Sequence, residues 1–154
     1  MPESIPELIS KALGGDELAI SELVELHRGA VFGLAYRMLG QREDAEDVVQ
    51  ETFVRAFRNL HRFDVERELR PWLLAIAGNR CRSLLGQRMR RPGASGLVEH
   101  LPDRDSRGRG FEGIEEEVRR ALGGLRDEYR QAFVLFHDQQ LSYAEIASAL
   151  DCPV

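Results

Sequence analysis

The sequence lacks long hydrophobic runs and contains only two cysteines. No run in the 154 residues approaches the roughly 18 apolar residues of a membrane span, so we expect no membrane contact by this chain. The first residues, MPESIPELISK, have no basic start followed by an apolar run, which argues against a secretory signal. Cys81 and Cys152 stand far apart and outside any CxxC spacing. They indicate free thiols in a reducing compartment, the cytoplasm, and no zinc site.

Common enzyme motifs are also lacking. The sequence has no Gly-rich phosphate loop, no HExxH and no Ser or Cys nucleophile beside a His. His27 has no second His or Cys at ligand spacing, so it is expected to be structural. Asp47 and Glu51 form an i, i+4 carboxylate pair that an enzyme hypothesis could use for a metal. Helical di-metal sites, however, take Glu-x-x-His motifs from facing helices, and none is present, so no catalytic residue, metal or cofactor is expected.

What the sequence does have is an uneven distribution of charge within a net charge of −5. Residues 61–91 carry eight Arg against three acidic residues. The flanking segments are acidic, with 6 basic and 11 acidic residues in 1–60 and 7 basic and 12 acidic in 92–154. A basic block between acidic ones is a candidate polyanion site, although basic helix ends are common enough to make the pattern weak alone.

The segment 44–58, DAEDVVQETFVRAFR, predicts a helix with two different faces. Its apolar residues recur at three- and four-residue steps and form one buried stripe: Ala45, Val48, Val49, Thr52, Phe53, Ala56 and Phe57. The polar residues outside the stripe are Asp44, Asp47, Gln50, Glu51 and Arg55. Such a face is either a solvated acidic surface or a docking surface for a basic partner.

The remaining periodicity predicts an all-α chain of one large or two small domains. Ser4 and Glu7 form a capping box for a first helix that Gly14-Gly15 ends, and Asp16 caps a long helix reaching about Leu39. Gly40 stops that helix, and the next two helices should pack antiparallel. Residues 60–70 are polar with little periodicity and are predicted to be a loop. Pro71 then suits the first turn of another helix.

The helix that begins near Pro71 combines an apolar side with a side suited to nucleic acid. Its polar side carries Asn79, Arg80, Arg82, Ser83 and Gln87 and ends in the run from Arg88 to Arg91. Arginine neutralises phosphates, while amide and hydroxyl groups can hydrogen-bond base edges. The alternatives are that the arginines only complement the helix dipole or are solvated, that Trp72 is core, and that Cys81 is core rather than a redox sensor.

Residues 92–113 are rich in Pro, Gly, Ser and charge and are predicted to be a linker between domains at 1–91 and 114–154. Beyond it, 114–125 predicts a helix with Ile114 on its apolar side, and Asp127 is expected to cap the next helix, with Tyr129 and Phe136 apolar. Ser142 and Glu145 form a second capping box, with Tyr143 and Ile146 on the inner face. A short helix followed by a turn at 151–153 is typical of the first half of a helix-turn-helix.

Together these segments resemble a group IV bacterial sigma factor, the extracytoplasmic-function type. DAEDVVQETFVRAF resembles the part of sigma domain 2 that docks on core RNA polymerase. RPWLLAIAGNRCRSLL with its trailing arginines resembles the helix that reads the promoter −10 element. LRDEYRQAFVLFHDQQLSYAEIASALDCPV resembles the opening of sigma domain 4, which reads the −35 element. The two segments in this order, with a polar linker between them, are a strong joint signal.

The resemblance implies roles for the candidate residues. Asp44, Asp47, Gln50, Glu51 and Arg55 would dock on the clamp helices of the largest polymerase subunit. The −10 surface would comprise Asn79, Arg80, Arg82, Ser83 and Arg88, and the loop residues Arg62, Phe63 and Asp64 would hold a base flipped from the separated strand. Ser142, Tyr143, Glu145 and Ile146 would belong to the helix-turn-helix. The implied partners are core RNA polymerase, promoter DNA and an anti-sigma factor.

The sequence departs from the family pattern at two places. Ser83 stands where the family often has Asp, which puts any role of that carboxylate in doubt. The second helix of the helix-turn-helix does not follow Val154, and a truncated chain is the favoured explanation over a protein that no longer reads −35. A decoy that binds an anti-sigma factor without directing transcription is the alternative function.

Overall fold

The computed structural model of the protein describes residues 2–90 and 111–151. This part contains seven α-helices, one 3-10 turn and no strand, which confirms the all-α prediction. The elements are α1 (Ile5–Leu13), α2 (Glu17–Leu39), α3 (Arg42–Arg58), a 3-10 turn (Leu60–Arg62), α4 (Leu69–Arg90), α5 (Phe111–Gly123), α6 (Asp127–His137) and α7 (Tyr143–Leu150). Most of the predicted linker, with His100, and Cys152 at the predicted final turn lie outside the described residues.

Local sequence signals explain where most helices begin and end. Both predicted capping boxes form: the amide of Ser142 donates to Glu145 Oε1 at 2.9 Å, and the Ser4 amide donates to Glu7 Oε2 at 2.8 Å. Asp16 accepts from the Leu18 amide at 2.9 Å. Gly40 ends α2 with φ of 77°, a left-handed conformation that a residue without Cβ adopts at little cost.

Three local predictions need correction. Helix α3 begins at Arg42, two residues earlier than predicted, after an extended Gln41 that makes no side-chain cap. Helix α4 begins at Leu69, which places Pro71 at its third position, still inside the first turn where no backbone donor is needed. Asp127 is the first helical residue of α6 and not its cap, because Arg126 occupies the capping position.

Helices α1 to α4 enclose a hydrophobic core. Helix α2 packs against α1, α3 and α4, and α3 packs against α4. The stripe predicted for α3 is confirmed, since all its members are buried except Phe57, which is partly buried. His27 is buried, with Nδ1 2.8 Å from the Leu23 carbonyl oxygen, as expected for a structural histidine. The side chain of Cys81 is fully buried, so this cysteine is core.

Helices α6 and α7 join the same core. Helix α7 packs against α4, and α6 packs against both α2 and α4. The apolar residues that they contribute to the shared core are Val134, Leu135, Leu141, Ile146 and Ala149. The other predicted apolar positions face outward: Tyr143, Phe136, Tyr129 and Ile114 are each more than half exposed. The Tyr143 and Phe136 rings stack on each other at 5.4 Å, which removes them from the inner face where Tyr143 was predicted.

Candidate functional site

The outer face of α3 carries the residues that the sequence picked out for docking. Asp47, Gln50 and Arg55 are exposed, and no hydrogen bond or ion pair to their side chains occurs within residues 2–90 and 111–151. At 100° per residue, these positions lie on the face opposite the buried stripe. They are therefore available to an incoming partner.

The other two carboxylates of this face already have partners on α4. Glu51 accepts a hydrogen bond from Arg80, and Asp44 accepts one from Arg88. Spacings of seven residues on α3 and eight on α4 place the two pairs about two helical turns apart along the contact between the helices. The structure thus brings two of the candidate docking residues together with two of the candidate DNA-binding residues, as ion pairs.

The remaining candidates on α4 divide into exposed and engaged groups. Asn79 and Ser83 are both exposed and follow each other at one helical turn. The guanidinium of Arg82 donates to Asn79 Oδ1 at 2.6 Å, while its Nε is buried without a partner in the described structure. The amide nitrogen of Asn79 therefore stays free for an acceptor such as a base edge.

The segment before α4 is an irregular loop that follows the 3-10 turn. The Phe63 and Trp72 rings lie 4.9 Å apart with a 41° tilt, and both are only partly buried against the core. Asp64 stabilises the turn by accepting from the Glu66 amide at 3.0 Å, and Arg62 is exposed. On its other side the loop lines a cavity of about 400 Å³ with Ile5, Pro6 and His27. Two aromatic rings beside a polar loop can stack a base.

Sequence periodicity missed Val54, which is half-exposed on the polar side of α3. It follows Gln50 by one turn and lies two turns from Asp47, so it adds an apolar patch to the candidate docking face. A valine outside the buried stripe is the signal that could have found it. An exposed apolar residue among charges is a common feature of protein-binding surfaces.

Metal and membrane features were searched for in the same part of the chain. No three His, Cys, Asp or Glu side chains between residues 2 and 90 or 111 and 151 come together in a way that could hold a metal ion. None of the helices described combines the length and hydropathy that crossing a membrane requires.

Comparison with known proteins identifies both halves of the chain. Residues 23–91 match the sigma-70 region 2 family, and residues 115–154 match the sigma-70 region 4 family. The chain is 30% identical to the ECF RNA polymerase sigma factor SigW of Bacillus subtilis, over 100% of this chain and 89% of the relative. It is 31% identical to the RNA polymerase sigma-H factor of Pseudomonas aeruginosa, over 99% of this chain and 85% of the relative.

Solved structures agree with these sequence matches. The structure of CnrH in complex with the cytosolic domain of CnrY is 28% identical, with a TM-score of 0.70 over 98% of this chain and 85% of that chain. RpoE of Bartonella quintana, solved with the anti-sigma factor NepR, shares the fold at 22% identity, with a TM-score of 0.65 over 86% of this chain and 83% of that chain. The protein belongs to the extracytoplasmic-function sigma factors of bacterial RNA polymerase.

Proposed function

We propose that this chain is a promoter-specificity subunit that binds core RNA polymerase, recognises promoter DNA, separates the strands at −10 and so starts transcription. The observation that carries the proposal is the presence of both sigma regions in one chain, in family order. Sigma factors in general are not enzymes, and we infer that this chain has no catalytic activity of its own. It would act in the bacterial cytoplasm, where polymerase works. No described feature favours the decoy alternative.

Docking on the polymerase clamp helices is assigned to the outer face of α3. Asp47, Gln50 and Arg55 support this assignment because they are exposed without partners in the described structure, and Val54 adds an apolar contact. Asp44 and Glu51 would join them if the partner displaces Arg88 and Arg80. A basic partner would gain from the acidic face mainly in association rate and orientation.

Recognition of the −10 element is assigned to residues 1–91, with 92–113 as a linker and 114–154 as the −35 unit. Within the first unit, Asn79 and Ser83 are the exposed candidates on α4, with Arg82 beside them. Arg62, Phe63 and Asp64 form the loop that would hold a flipped base next to Trp72. Unstacking a base costs a few kcal/mol, which stacking of about 1–3 kcal/mol per base can offset. Ser142, Tyr143, Glu145 and Ile146 are assigned to the helix-turn-helix.

A protein that masks this sigma factor is also part of the proposal. The similar chain CnrH was solved in complex with the cytosolic domain of CnrY, which supports a protein partner for this chain too. By its family, that partner would be an anti-sigma factor.

The decisive experiment measures the affinity of the chain for core RNA polymerase by fluorescence anisotropy. Asp47→Arg is the test variant because Asp47 has no described partner, whereas Glu51→Arg would also break the Arg80 pair. Reversing this charge against a basic surface is expected to weaken binding about tenfold, equivalent to about 1.4 kcal/mol.

Glu22→Arg on the exposed side of α2 is the matched control, because it changes net charge equally at another surface. The control should bind like the parent. Equal loss in both variants would show that net charge matters and the α3 face does not. Absence of binding by the parent would contradict the proposed function itself.

A further inference from the structure

Three polar side chains at the end of α6 tie it to helices α2 and α4. Asp138 accepts from Arg37 Nε at 2.8 Å. The Gln139 amide donates to the Ala30 carbonyl oxygen at 3.1 Å and accepts from Arg70 at 2.9 Å. Arg130 donates to the Met38 carbonyl oxygen at 3.0 Å. We call Arg130, Asp138 and Gln139 the latch; each links positions 69 to 109 residues apart.

The latch surrounds an apolar contact. Val134 and Leu135 are fully buried, and Leu141 nearly so, in the core that α2 and α4 also form. The Gln139 side chain itself is buried and lies 3.5 Å from where a Cβ on Gly33 would stand. Both the apolar residues and the latch would return to water if α6 and α7 left α2 and α4.

One residue in this contact works against it. The Gln131 side chain is completely buried, and neither its amide nitrogen nor its amide oxygen has a hydrogen-bond partner in the described structure. It lies directly against Gly78 of α4, where a Cβ would overlap it. Separation would let water bond both atoms of this amide, so the contact contains a group that favours opening.

The size of the closed arrangement limits what it can bind. Elements at −10 and −35 are about 25 base pairs apart, which is about 85 Å along B-form DNA at 3.4 Å per pair. A compact chain of 154 residues has a radius of gyration of about 15 Å and therefore a diameter of about 40 Å. The closed arrangement is thus too short to reach both elements. The twenty residues 91–110 could extend at most about 70 Å, enough for separated halves to do so.

We propose that the latch holds this sigma factor in a closed, self-inhibited form, and that binding to core polymerase separates α6 and α7 from α2 and α4. The proposal rests on the proposed function, because the inhibited activity is promoter recognition at two elements. Asn79, Ser83 and Asp47 remain exposed in the closed form, so inhibition comes from the limited span and not from covering them.

Closure can be measured by fluorescence energy transfer between dyes on cysteines placed at Glu22 of α2 and Ser148 of α7, both exposed. The full chain is used with Cys152→Ser, and the buried Cys81 is left in place. The free parent should show high transfer. Arg37→Asp and Asp138→Arg should each lower the ratio of closed to open molecules about tenfold, because each leaves two like charges facing one another.

The double variant Arg37→Asp/Asp138→Arg is the matched control, since it restores an ion pair with reversed polarity. It should recover most of the transfer, which a general loss of folding would not allow. Gln131→Met, which removes the unpaired amide at similar volume, should raise the closed fraction. Low transfer in the free parent, unchanged by the single variants, would overturn the proposal.

Adding core polymerase separates this proposal from the proposed function. Transfer should fall as the labelled parent binds, and Gln131→Met should bind more weakly than the parent. Polymerase binding with unchanged transfer would overturn self-inhibition while leaving the sigma assignment intact. Transfer that responds to the charge swap in a chain that polymerase does not bind would leave closure established and overturn both inhibition and the proposed function.

Discussion

At the scale of single residues, Cys81 shows how burial decides chemistry. Its side chain is fully buried on α4, and burial raises the pKa of the thiol to about 12, although Arg80 and Arg88 nearby act in the opposite direction. The thiolate is the nucleophilic form, so at neutral pH almost no reactive sulfur is present. A redox role for this cysteine in the folded protein is therefore not supported.

We expect native Cys81 to resist thiol reagents at pH 8. In a Cys152→Ser variant, a chromogenic disulfide reagent should detect no thiol in the folded chain and one per chain after denaturation in guanidinium. Because only exposure changes between the two measurements, the unfolded sample is its own control. Rapid reaction of the native protein would show that α4 opens readily or that Cys81 is accessible.

At the scale of helices, α4 carries a glycine whose role depends on its neighbour. Alanine in a helix interior is favoured over glycine by about 1 kcal/mol. At Gly78, however, the added methyl group would overlap the Gln131 side chain of α6. The helix therefore gives up intrinsic stability at this position so that α6 can approach it.

Gly78→Ala should lower the free energy of unfolding by about 1–3 kcal/mol, the usual cost of overpacking, despite its better helix propensity. Gly78→Ala/Gln131→Ala should recover part of that loss because the overlap is gone. Gly29→Ala is the matched control on α2, where a Cβ would meet nothing within 4 Å, and it should be neutral or stabilising. Urea unfolding monitored by circular dichroism measures all three. Stabilisation by Gly78→Ala alone would contradict the packing described here.

The ion pairs between α3 and α4 are a second feature at this scale. Arg80 with Glu51 and Arg88 with Asp44 join the candidate docking helix to the candidate −10 helix. Their side chains are between about a quarter and a half exposed, so each pair contributes at most about 1 kcal/mol. Pairs this weak can be exchanged for contacts with polymerase or DNA without a large cost in folding free energy.

At the scale of the whole molecule, the pair of Arg37 and Asp138 makes closure sensitive to acid. Burial opposes ionisation of Asp138, but hydrogen bonds from His137 and Arg37 outweigh it, so its pKa lies below the ordinary value of 3.8. Opening removes Arg37, and the pKa then moves back toward the ordinary value. The pair thus stabilises the closed form fully above that value, and the contribution is lost as the pH falls through the lowered pKa.

Energy transfer in the free chain should therefore be constant from pH 7 down to about 5 and fall as the pH drops below about 4. Asp138→Asn, which cannot ionise, should start from a lower closed fraction and lack this step. Circular dichroism at each pH separates opening from acid unfolding, since the helices should persist when only the contact is lost. A parent that opens between pH 5 and 7 would point to a different titrating group.

The sequence by itself determined the all-α class, the capped ends of α1, α2 and α7, the buried stripe of α3 and the sigma family. These follow from spacings of three to four residues and from contiguous motifs, which act locally. Only the tertiary structure decided which charges are free: Asp47 stays open while Glu51 is paired with Arg80, and both look alike in sequence. It also decided that Tyr143 faces outward and that Gln131 packs on Gly78. Such contacts join side chains dozens of residues apart, and no local periodicity encodes which partner a given residue meets.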